Sequence, residues 1–80
     1  MIEFTIEVPT ATMQSMSPKM VMGNYINCDP RVRKVECDRM MGYCEVETRV
    51  ELDIQREISY YHIRAVYKDL EAEMITRLCL

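Results

Sequence analysis

Residues 37–44 read CDRMMGYC, and the path of the chain through them decides which fold the flanking segments can build. Upstream, VRKVECD alternates: Val35 and Cys37 share one side, while Lys34, Glu36 and Asp38 share the other. Downstream, YCEVETRVELDI sets Cys44, Val46, Thr48, Val50 and Leu52 against Glu45, Glu47, Arg49, Glu51 and Asp53. Successive side chains of a strand point to opposite faces, so both segments predict half-buried strands. Their apolar sets must meet on one side of the sheet, which restricts the connection. A three-residue loop, Met40 to Gly42, opposes Cys37 to Glu45 and fails. A four-residue loop, Arg39 to Gly42, opposes Cys37 to Cys44 and Val35 to Val46, with Gly42 left-handed at the end of a type I turn. A two-residue loop at Met41-Gly42 keeps parity but needs positive φ at Met41, which a Cβ disfavours. CDRMMGYC is therefore expected to be the tip of a long hairpin.

Before this hairpin, IEFTIEV alternates Ile2, Phe4, Ile6 and Val8 with Glu3, Thr5 and Glu7, a further half-buried strand that Pro9 ends. Residues 10–30 are methionine-rich and irregular. Thr10 is a candidate cap for a short helix carrying Met13 and Met16. Ser17-Pro18 is a candidate N-cap and first helical residue, with Gly23 as the stop. The competing reading is a strand through Lys19 to Ile26, and the helical turn is preferred. Asn27-Cys28-Asp29-Pro30 reads as a turn.

After Asp53, a plausible N-cap, the period changes to 3.6. Ile63, Tyr67, Leu70, Met74 and Leu78 form one helical stripe, and Ile58, Tyr61, Ala65 and Ala72 a weaker one on nearly the opposite side. A helix over 54–79 would run about 39 Å, and a strand over 43–52 about 33 Å, so the helix can lie along the hairpin. The predicted fold is α+β: a small antiparallel sheet, from the N-terminal strand plus the long hairpin, packed against one long C-terminal helix, in a single domain over 1–80. The expected core is Ile2, Phe4, Ile6, Val35, Cys37, Cys44, Val46, Val50, Ile63, Tyr67, Leu70 and Met74.

With 49% apolar and 29% charged residues, the composition is that of an ordinary globular domain. The start lacks the basic and apolar regions of a signal peptide, and no run is long enough to span a membrane. A cytoplasmic location is expected, and there the four cysteines are simplest as reduced thiols. Their spacings, Cys28-x8-Cys37-x6-Cys44, lack the close pair of a structural zinc site, and His62 is the single histidine. No metal or cofactor is expected. The eight methionines either fill a loosely specified core or offer an adaptable contact surface.

Charge patterning is the most informative feature. The outward residues of the three expected strands are Glu3, Glu7, Glu36, Asp38, Glu45, Glu47, Glu51 and Asp53 against Lys34 and Arg49, while the whole chain carries −3. The bland reading is a solvated face, whose charges also protect sheet edges. The functional reading is a docking surface for a basic protein partner, with Glu36, Asp38, Glu45, Glu47, Glu51 and Asp53 as its residues. Such a face repels phosphates, so direct nucleic-acid binding is not expected. A partner that normally holds nucleic acid in a positive groove would present the complement. The leading expectation is a small non-catalytic binding protein, an inhibitor or adaptor of a larger nucleic-acid-handling complex; a virus-encoded blocker fits that description. Ile58, Tyr61, Ala65 and Ala72 are expected to mediate a homodimer. The alternative is a small-ligand or metal/redox sensor using the cysteines and His62. A minimal enzyme ranks last, because no nucleophile–base pattern accompanies His62.

Overall fold

A computed structural model describes residues 1–80, the side chain of Pro18 excepted. The fold is α+β: a three-strand antiparallel sheet with helices on one face, including a C-terminal helix. In chain order the elements are β1 (Ile2–Pro9), α1 (Thr10–Ser15), α2 (Pro18–Val21), a π-helical turn (Met22–Ile26), α3 (Pro30–Met40), β2 (Cys44–Asp53), β3 (Ile58–Tyr67) and α4 (Leu70–Cys79). The strand order is β1-β3-β2, so the last strand of the chain lies between the other two.

CDRMMGYC is a helix end, not a hairpin tip. Asp29 opens α3: its carboxylate accepts the Arg31 N–H at 2.8 Å, and Pro30, which lacks a donor, occupies the first turn. Lys34–Asp38 and Arg39–Glu36 pair along the helix at one-turn spacing. Val32 and Val35 face the sheet. The helix stops in a paired reversal, with Tyr43 N–H donating to Asp38 O at 2.9 Å and Gly42 N–H to Arg39 O at 3.0 Å. Gly42 sits at φ 82, which this reversal requires. Gly42→Ala should therefore cost about 1 kcal/mol, read as a lower urea midpoint at unchanged m-value; an unchanged midpoint contradicts the cap.

The hairpin lies further along. β2 pairs with β3 from Cys44↔Tyr67 to Asp53↔Ile58, closing over residues 54–57. The Asp53 carboxylate accepts the Arg56 N–H at 3.1 Å and Glu57 takes φ 55. Asp53 thus caps a turn by the same three-residue reach an N-cap would use, and the expected helix over 54–79 is replaced by β3 and the ten-residue α4. The composition of β3, ISYYHIRAVY, is rich in β-branched and aromatic residues, which favours the strand.

Within 10–30 the preferred helical turn after Ser17 is present in place of a strand through 19–26, and residues 27–29 form a turn. The Ser17 hydroxyl accepts the Met20 N–H at 3.3 Å at the start of α2. Gly23 does not stop the chain there: the helix widens, and Asn27 N–H reaches Met22 O at 2.7 Å.

The core forms between one sheet face and the helical layer. Ile6, Val8, Val21, Ile26, Val32, Tyr61 and Ile63 make one cluster; Ile2, Val35, Cys44 and Ala65 make the second, toward α4. Of the expected core, Phe4, Val46 and Tyr67 are half-buried, and Cys37, Val50, Leu70 and Met74 are exposed. Cys37 points off α3, Leu70 and Met74 off α4, and Val50 lies where the helices do not reach.

Candidate functional site

The register sets three rows across the uncovered face: Glu3–Arg64–Glu47, Thr5–His62–Arg49 and Glu7–Tyr60–Glu51. Glu45 and Asp53 stand at its two ends, beside Val66 and Ile58. Glu3, Glu7, Glu45, Glu47 and Glu51 are exposed, and Asp53 is half-buried. Arg49 and Arg64 are the cations set among them. With six carboxylates against these two guanidiniums, the face is strongly acidic.

His62 is at its centre and ties all three strands. Its Nδ1 lies 3.0 Å from Thr5 Oγ1 on β1, and its Nε2 2.9 Å from a Glu51 carboxylate oxygen on β2. The Tyr60 ring stacks beside it at 6.3 Å between centroids. Arg64 leans toward Glu3 at 3.8 Å. The first two rows line an open hollow of ≈870 Å³ whose walls include Glu3, Thr5, Glu47, Arg49, His62 and Arg64. Chemically, it offers carboxylates to a cationic visitor and two guanidiniums that orient it.

Of the acidic residues expected to act together, β2 brings Glu45, Glu47, Glu51 and Asp53 onto this face. Glu36 and Asp38 are not on it, because α3 carries them to the helical side. Glu36 is paired with Arg39 at 2.9 Å. Asp38 is 3% exposed. It accepts hydrogen bonds from Thr76 Oγ1 at 2.6 Å, Tyr67 Oη at 2.6 Å and Lys34 Nζ at 3.2 Å. Burial pushes its carboxyl up, but the bonds from Thr76, Tyr67 and Lys34 outweigh it and the net position is below 3.8. Burial, then the bond to Asp38, pushes the Tyr67 hydroxyl well up. Asp38 is an internal staple joining α3, β3 and α4.

The residues expected to mediate self-association are also redistributed. Tyr61 and Ala65 are core residues on the covered side of β3, while Ile58 is half-buried at the start of β3 and Ala72 half-buried in α4. They form no common surface. Their expected grouping assumed a helical period where the backbone is extended.

The cysteines and His62 do not converge. Cys44 is buried on the covered face with its thiol pushed up by burial, whereas His62 stands on the open face. Cys28, Cys37 and Cys79 are exposed on three separate helical segments or turns. Among the described residues, no group of three or more His, Cys, Asp or Glu side chains is placed to hold a metal ion. Among them too, no helix is long and apolar enough to cross a membrane.

Sequence reasoning assigned Glu3 and Glu7 outward correctly but missed Tyr60, His62 and Arg64 as members of the same face. Reading residues 58–67 at period 2 would have found them, since Tyr60, His62 and Arg64 alternate with Ser59, Tyr61, Ile63 and Ala65. No protein-family model matches the chain, and neither the curated proteins nor the solved structures yield a match.

Proposed function

We propose that the protein is a small non-catalytic binding protein that docks its open sheet face onto the basic surface of a protein partner. In this reading it acts as an inhibitor or adaptor of a larger nucleic-acid-handling complex. The supporting observation is the set of exposed carboxylates, Glu3, Glu7, Glu45, Glu47 and Glu51, on a face that no helix covers. A surface of this sign disfavours nucleic acid itself and favours the groove that binds it. The hydrogen-bonded ladder beneath holds the side chains at fixed spacing, so little ordering remains to be done on docking. Arg49 and Arg64 add discrimination, because a uniformly basic partner surface would be repelled at those two points.

The test is capture by the immobilised protein from an extract of its own cells, followed by release with duplex DNA. Bound proteins should be nucleic-acid-binding ones that DNA competes off and that raised salt weakens. A triple charge reversal, Glu3→Lys with Glu7→Lys and Glu45→Lys, should lower capture by about tenfold or more. Its far-ultraviolet circular dichroism should be unchanged, because all three side chains project into solvent. Equal capture by the folded variant contradicts the docking face.

A further inference from the structure

We propose that the free edge of β2 is a self-pairing edge, which joins two copies antiparallel about a two-fold axis at Val50. The first observation concerns the backbone. Tyr43 O accepts from Lys68 N–H at 3.1 Å, in the same register as the β2–β3 ladder. Similarly, Thr10 N–H donates to Glu57 O at 2.9 Å in the register of the β1–β3 ladder. Antiparallel bonding alternates, so these two bonds fix which residues of each strand bond inward. In β2 the odd residues, Glu45 to Asp53, bond to β3. The N–H and C=O groups of Thr48, Val50 and Leu52 therefore point out of the sheet.

The second observation is that no proline or break in register blunts this edge, and its open-face charges include both signs. β2 pairs over ten consecutive positions without a break in register, and it contains no proline. A long regular edge is a template for another strand unless a bulge, a proline or a cover protects it. On the helical side of the same edge, Val50 is 47% exposed, Leu52 62% and the adjoining Ile54 86%.

The third is charge, which chooses both the occupant and the register. With the two-fold at Val50, Val50 faces its own copy, Thr48 faces Leu52 of the second copy, and these pairs exchange backbone bonds. Between them, at positions where side chains stand closest, Arg49 faces Glu51 of the second copy twice. Moving the axis to Arg49 opposes Arg49 to Arg49 and Glu47 to Glu51. Moving it to Thr48 keeps a Glu47–Arg49 pair but opposes Glu45 to Glu51 and leaves Ile54 without a partner. The Val50 register has one kind of acidic opposition, Glu47 to Asp53, which the two-fold also repeats, and there Arg56 already lies 3.9 Å from each Asp53 carboxylate. The other sheet edge is different. The open-face residues of β1 are Glu3, Thr5 and Glu7, which offer no cation to a second copy, and Pro9 ends the strand.

Pairing in this register would join the two open faces into one continuous acidic platform. It does not depend on the docking proposal, and either can fail alone.

Sedimentation equilibrium across a wide range of concentration is the test. Wild type should dimerise. Arg49→Glu and Glu51→Arg should each raise the dimer Kd by about tenfold or more, because each replaces both attractive pairs with like charges. An equimolar mixture of the two variants should dimerise again, since the carboxylate introduced in one then meets the guanidinium introduced in the other. In wild type, the amide protons of Thr48, Val50 and Leu52 should gain hydrogen-exchange protection as concentration rises. A wild type that stays monomeric, single variants that dimerise normally, or a mixture that does not recover would each overturn the proposal. The exchange measurement needs no variant, so a misfolded mutant cannot protect it.

Discussion

Asp38→Ala lowers the unfolding free energy by about 3–5 kcal/mol, the largest effect expected of any single polar substitution in this chain. Three donors converge on one carboxylate: Lys34 from its own helix, Tyr67 from β3 and Thr76 from α4. Removing the carboxylate leaves the Thr76 hydroxyl buried without its acceptor and the Lys34 ammonium without its counter-ion. It also frees α4, whose other inward anchors are Glu73, which pairs with the Met1 amino group and Arg77, and half-buried Ala72. The same site sets a pH dependence. The folded pKa of Asp38 is below 3.8, so its contribution is complete above that value and is lost as pH falls through the lower, folded one. Asp29 behaves likewise, held down chiefly by the Arg31 hydrogen bonds. Asp38→Asn cannot titrate, so urea midpoints of wild type and this variant should converge below about pH 4. Parallel curves to low pH would show that folding does not lower the Asp38 pKa.

Ile26→Ala should cost about 2–5 kcal/mol, and Leu78→Ala within about 0.5 kcal/mol of nothing. Ile26 closes the π-helical turn and is 1% exposed, wedged among Val8, Val21, Val32 and Tyr61. Its removal leaves a cavity between the helical layer and the sheet, which the short helical segments of 10–26 can only partly close. Leu78 is 88% exposed on α4. The stripe Leu70–Met74–Leu78 has the spacing of a core face, yet α4 buries Glu73 and Thr76 instead. Urea titration of the two variants decides between these faces. Comparable losses at both would mean that α4 packs the other way round.

The strand alternation of β1 and β2 was legible because each has one covered and one open face, so polarity follows the pleat. The same alternation misled at residues 34–38. There the true pattern is helical, with Val32 and Val35 one turn apart, and only the Asp29-Pro30 start distinguishes it. Gly42 was informative but ambiguous: left-handed glycine ends a helix as readily as it closes a turn. β3 was hidden for a different reason. As the central strand it carries Tyr60 and Val66 on the open side and Ser59 and Ala65 in the core, so its polarity does not alternate. The stripe through Ile63, Tyr67, Leu70 and Met74 then crosses from strand to helix at residues 68–69 without sharing any surface. The acidic face was half legible for the same cause. Its β1 and β2 members, Glu3, Glu7, Glu45, Glu47 and Glu51, follow from the pleat, whereas Arg64 and His62 appear only once β3 is placed between those strands. Asp38 was assigned outward because a strand was assumed; a helix turns it toward Thr76.

Every functional statement rests on β3 lying between β1 and β2, with the carboxylates of both outer strands on its uncovered side. Hα–Hα nuclear Overhauser effects read this directly, since they are strongest between facing residues at non-hydrogen-bonded positions. Strong cross-peaks are expected for Thr48 with Ile63, Val50 with Tyr61, and Thr5 with His62. A cross-peak between the Hα protons of Val35 and Val46, with those three absent, would place the hairpin at CDRMMGYC and dissolve the face.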